Sequence, residues 1–149
     1  MVASVLSSFF LLSPGRHFLW SPDHGSDIVA SISALAERLE VRCGTVSAIG
    51  ALMYATLGFY DQGAHEYRTI EINRPVEIAN LTGNVTIRDG RPFLHAHATL
   101  ADSKGEVMGG HLIRGTVFAA EVHLRELIGA APVRSHDPTT DLLLCRDGD

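Results

Sequence analysis

Phe93 to Gly115 reads FLHAHATLADSKGEVMGGHLIRG, and this stretch decides the fold. Leu94, Ala96, Ala98 and Leu100 alternate with His95, His97 and Thr99. Side chains along a strand point in turn to opposite faces, so Arg91–Ala101 is predicted as a strand with the apolar set toward a core and both histidines on the other face. Asp102-Ser103-Lys104-Gly105 then makes a turn and Glu106–Ile113 returns beside it. A three-residue loop, Ser103 to Gly105 with Gly105 left-handed, pairs Asp102 with Glu106 and therefore His97 with His111. A two-residue loop slips the register by one and turns His111 to the wrong face. The glycine at the third loop position favours the first arrangement, in which three imidazoles converge across two strands.

Working outward, Asp89-Gly90 between two alternating runs is a strong hairpin signal. As a two-residue turn joining Glu77–Arg88 to Arg91–Ala101, it sets Asn84 opposite His95 and Thr82 opposite His97. Both are short polar side chains suited to orienting an imidazole or binding a ligand. Further strands are predicted at Arg16–Trp20, Thr45–Leu52, Ala55–Tyr60, Tyr67–Ile72 and Thr116–Arg125. One helix is expected, capped by Ser26 with Asp27 in its first turn and stopped at Cys43-Gly44. Ile28, Ile32, Leu35 and Leu39 form its apolar face. The fold class is therefore α+β: one main helix packed on a large, mostly antiparallel sheet. Residues 1–14 read as an apolar arm or strand, 15–128 as the domain, and 129–149, with Pro132 and Pro138, as an irregular tail.

Three neutral imidazoles suit Zn²⁺ or another borderline divalent ion, with a coordination position left for water or a ligand. His95, His97 and His111 are the candidate metal ligands, and Gly109 and Gly110 leave space beside them. Glu121 is the candidate proton carrier, provided its strand runs beside that of His111. His123 shares its parity, and His17, His24, His65 and His136 fall in ends or loops. Gly90-Arg91-Pro92 matches part of an AT-hook core, but Asp89 replaces its first arginine and the segment already serves as a turn. The sequons at Asn80 and Asn84 fall within a strand, and the chain has no G-x-S-x-G, P-loop or dinucleotide fingerprint.

The 149 residues suffice for one domain. Forty-six per cent are hydrophobic and 19% charged, with a mean hydropathy of +0.13, which excludes a disordered chain and hints that a partner subunit covers some apolar surface. The net charge of −5 opposes binding to a phosphate backbone. Cys43 and Cys145 form no recognisable framework and point to a reducing, cytoplasmic setting. Val2–Leu12 has neither a basic leader nor a cleavage motif, and it is too short to span a bilayer.

Together with SAIGALMYATLGFYD (Ser47–Asp61), EYRTIEINRPVEIANLTGNV (Glu66–Val85) and GTVFAAEVHLREL (Gly115–Leu127), the histidine segment resembles the PPC domain, also called domain of unknown function 296, over about Gly15 to Ile128. In plants this domain follows AT-hooks in nuclear DNA-binding proteins. In bacteria and archaea it stands alone, often labelled DNA-binding, with its biochemical role unsettled. The resemblance implies a homotrimer, zinc at His95, His97 and His111, and a fold similar to acetolactate decarboxylase. That enzyme also uses glutamates, for which Glu121 is the nearest match here, and a basic residue that is not matched in this sequence. No AT-hook is present, and direct DNA binding is not expected. Two readings follow. One is a trimeric zinc protein with an open site for a small ligand, which as an enzyme would be a lyase or hydrolase of a small carbonyl compound. The other is a non-enzymatic oligomerisation and protein-interaction module.

Overall fold

The computed structural model describes residues 9–146. Both hairpins form in the predicted registers. Asp89 and Gly90 adopt φ of 50° and 78°, the left-handed pair that matches the twist of antiparallel strands. They join β4 (Val76–Arg88) to β5 (Arg91–Ala101), setting Asn84 opposite His95 and Thr82 opposite His97. Gly105, at φ 77°, closes the next loop. Asp102 Oδ1 accepts the N–H groups of Lys104 and Glu106 there. β6 (Val107–Ile128) then pairs His111 with His97.

The remaining elements are β1 (Ser13–Trp20), α1 (Ile28–Arg38), β2 (Gly44–Asp61), β3 (Glu66–Ile72), β7 (Val133–Asp137) and β8 (Leu142–Arg146). β2 pairs with both β4 and β6, and β5 pairs with the same two strands, so these four close into an antiparallel ring. β1 lies along the far half of β6 and β3 along the end of β2. The sequence predicts breaks near Met53 and Arg114, but β2 runs unbroken for 18 residues and β6 for 22. Register shifts between Leu52 and Tyr54 and between Thr56 and Leu57 absorb the irregularity as bulges, which bend a strand without ending it.

Leu94, Ala96, Ala98 and Leu100 are buried as expected, joined in the core by Leu52, Leu57, Leu81, Leu112 and Leu124. α1 covers this core against β5 and β6, burying Ile28, Ile32 and Ala36, with Leu35 and Leu39 at the margin. Its cap is Asp27 rather than Ser26. The Ser26 hydroxyl donates to the Asp23 carbonyl, which leaves Asp27 Oδ1 to accept the Ala30 N–H. Asp27 Oδ2 accepts the Gly115 N–H, tying the helix start to β6. The helix also stops earlier than Cys43-Gly44. Leu39 caps it, and Glu40, at φ 57°, takes the left-handed position usually filled by glycine.

The tail is not irregular. β7 and β8 form an antiparallel hairpin, joined to the ring by one parallel pair, Ile87 with Val133. Prolines and short alternation conceal such strands in a sequence. Residues 1–8 of the expected N-terminal arm lie outside the described residues, while Ser13 and Pro14 open β1 against Ile128 and Leu127. Among the described residues no helix is long and apolar enough to cross a membrane.

Candidate metal centre

The three imidazoles meet. Ring centroids lie 5.3 Å apart for His95 and His97, 5.2 Å for His95 and His111, and 5.6 Å for His97 and His111. One ligating nitrogen from each falls within 4.8 Å of the others. His95 and His111 are half-buried and His97 is exposed, so the cluster has a floor and a solvent-facing side. Gly110 also serves strand packing. A Cβ on Gly110 would sit 2.8 Å from the Gly58 carbonyl oxygen, so the absence of a side chain lets β6 close on β2 behind His111.

Burial, reinforced by Arg134 and then by the neighbouring imidazoles, pushes the pKa of His95 down to about 4. Burial lowers His111 too, with His97 and Arg134 adding to it. Both rings are thus neutral near pH 7 and keep the lone pair a metal requires. His111 Nδ1 is buried with no hydrogen-bond partner among the described residues, a condition that costs free energy and that coordination through Nδ1 would relieve.

The metal-free protein is therefore acid-sensitive. Unfolding returns His95 to about 6.5, so between pH 4 and 6.5 the unfolded chain binds the extra proton. Stability is complete above pH 6.5 and is lost progressively as the pH falls toward 4. After discounting for partial exposure the loss is on the order of 1–2 kcal/mol. Thermal melts of chelated protein between about pH 7 and 4.5 should fall by several degrees, with a shallower slope for His95→Asn. Equal slopes for the two proteins would refute the assignment.

The site also uses residues that the sequence reading missed. The β7–β8 hairpin leans over the triad and encloses a cavity of about 280 Å³ lined by Tyr67, Phe93, His95, His111, Arg134 and Leu142–Leu144, among others. The Tyr67 ring packs 5.2 Å from that of His111, and Tyr60 donates its hydroxyl to the Thr140 carbonyl, pinning the hairpin tip. Asn84 does face His95, but its Oδ1 accepts from Arg134 Nη2. Thr82 stands exposed opposite His97. No spacing rule pointed to Arg134, because only the single bridge at Val133 brings it back to β4.

Glu121 does not join the triad. It lies on the same strand as His111, ten residues further along β6, or about 30 Å at the rise of an extended strand. There it pairs with Ile49 and lines a separate surface hollow with Glu77 and Phe118. The proviso that its strand run beside that of His111 is not met, because the two supposed strands are one.

The sequence model of the Plants and Prokaryotes Conserved (PCC) domain matches residues 12–128. A metal-containing protein from Archaeoglobus fulgidus superposes with a TM-score of 0.90 at 41% identity, covering 93% of this chain and 98% of that one. A plant- and prokaryote-conserved (PPC) protein from Pyrococcus horikoshii gives 0.88 at 32%, covering 93% and 96%. The bifunctional protein GlmU of Synechococcus sp. (strain JA-2-3B'a(2-13)) is 33% identical over 122 residues, 80% of this chain, which spans only 18% of that protein. A Ralstonia eutropha JMP134 protein named as a candidate DNA-binding protein is 28% identical, with a TM-score of 0.78 over 91% of this chain and 94% of that one. At the level of fold alone, a Staphylococcus aureus protein similar to alpha-acetolactate decarboxylase gives 0.50 at 14% identity over 76% of this chain and 53% of that one.

Proposed function

This chain belongs to the Plants and Prokaryotes Conserved domain family, and from that premise we propose that it is a homotrimeric zinc protein whose three-histidine centre binds a small ligand on the metal. The observation that carries the reading is the triad itself: three imidazoles converging on one point, two of them held neutral by burial. His95, His97 and His111 are the proposed ligands. Three neutral nitrogen donors with a solvent-facing side suit zinc with one position open. A bound zinc ion supplies a Lewis acid that polarises a ligand oxygen.

The chain's own residues shape what reaches that position. β5 and β6 fix the rings in register, Tyr67 backs His111, and the hairpin wall of Leu142–Leu144 narrows the approach. The relative named as metal-containing supports a metal here. Exposed Phe59, Ile70, Phe118 and Val107, all more than 40% accessible, support burial against further copies. The reading is one of binding rather than turnover. Among the described residues the one carboxylate in the cavity wall, Asp141, is engaged by His136, and Glu121 stands far off. With a net charge of −5, the chain itself is a poor partner for DNA.

The test is elemental analysis of untagged protein, wild type beside His97→Ala. About one zinc per chain, lost in the variant, on particles near 48 kDa, three chains of 16.1 kDa, supports the proposal. No stoichiometric metal in the wild type, or equal metal in both proteins, overturns it.

A further inference from the structure

We infer that the cavity beside the triad binds a small carboxylate, with Arg134 taking the carboxylate group and the metal taking a second oxygen. This rests on the metal reading above and names its ligand class.

Among the described residues Arg134 is a fixed cation without a counter-charge. Its Nε donates to Thr86 Oγ1 at 2.9 Å, Nη1 to the Leu143 carbonyl at 3.0 Å and Nη2 to Asn84 Oδ1 at 2.9 Å. Its guanidinium also lies 5.6 Å from the centre of the Phe93 ring. Every one of these acceptors is neutral. Among the described residues Arg134 forms no ion pair, whereas Arg16, Arg68, Arg91 and Arg146 each hold a carboxylate. A guanidinium has five N–H groups, so one remains on each terminal nitrogen, enough for a two-point contact with a planar carboxylate.

The surroundings point the same way. Arg88 also lies over the Phe93 ring at 5.0 Å, paired among the described residues only with the exposed Asp89 at 3.6 Å. Asp141, the single acid in the wall among the described residues, is already bound by His136. A divalent ion on the triad would add two further positive charges. The volume of about 280 Å³ is small for a ligand site and suits a molecule of roughly ten heavy atoms or fewer. The leucines at 142–144 offer an apolar wall to a short carbon chain.

Isothermal titration of metal-replete protein tests this with a panel of short 2-oxo and 2-hydroxy monocarboxylates, pyruvate and lactate among them. Their methyl esters serve as neutral controls and inorganic phosphate as an anion control. At least one acid should bind about tenfold or more tightly than its ester. Arg134→Gln should lose that preference while keeping its metal, and Arg134→Lys should recover part of it. The comparison of acid with ester needs no variant and stands even if Arg134→Gln fails to fold. The inference is overturned if no acid binds, if esters bind as well as acids, if phosphate outcompetes every carboxylate, or if Arg134→Gln retains the preference with its metal. Acid binding that depends on Arg134 in a wild type without metal would sustain the role of Arg134 and overturn the metal reading instead.

Discussion

Gly83→Ala is expected to cost about 3 kcal/mol or more and to disrupt the histidine centre, whereas Gly90→Ala, seven residues on, costs about 1 kcal/mol. Both changes add a single methyl group, but in different surroundings. A Cβ on Gly83 lies 2.3 Å from the His95 carbonyl oxygen and 2.8 Å from Ala96 Cβ. Gly83 cannot rotate away, because it is paired on both sides, with Val46 of β2 and Ala96 of β5. Relief requires β4 and β5 to separate beside His95, moving the ring that anchors the triad. Gly90 has φ of 78° and nothing within 4 Å, so alanine there pays only for a left-handed backbone. Melting curves and metal content of the two variants distinguish these costs. A Gly83→Ala protein that melts with the wild type would refute the packing argument.

Asp27→Ala should cost about 2–4 kcal/mol, and Asp27→Asn distinctly less. One carboxylate oxygen caps α1 through the Ala30 N–H, a contact worth about 1 kcal/mol. The other accepts the Gly115 N–H of β6, and stranding that donor adds roughly 1–3 kcal/mol. Asparagine retains one acceptor and so preserves the cap. Denaturant titrations at matched protein concentration measure the difference: equal losses for Asn and Ala would show that the cap carries no weight, and an Asn variant as stable as the wild type would show that the second contact carries none.

The centre itself was readable because its geometry is local. Asp89-Gly90 and Gly105 are turn residues whose backbone preferences set two hairpin registers, and those registers bring His95, His97 and His111 together. The helix was readable from Ile28 and Ile32, but its cap shifted by one residue. Ser26 and Asp27 are both good capping side chains, and only the three-dimensional turn at Asp23 decides between them. Glu121 misled because parity along a strand does not reveal whether two apolar runs are separate strands or one bulged strand. Arg134 was invisible for a related reason: a lone parallel bridge leaves no periodic trace.

The hairpin that delivers Arg134 lies wholly beyond residue 128, where the family match ends. In the proposed site, ion and ligand thus fall to two separate parts of the chain. The ring carries the histidines and residues 133–146 the hairpin, so a different hairpin would bring a different charge and wall to the same proposed metal. During synthesis the order is fixed: the imidazoles of His95, His97 and His111 emerge from the ribosome before Arg134, so on the proposed reading the ion's ligands are made before the group that selects what the ion meets.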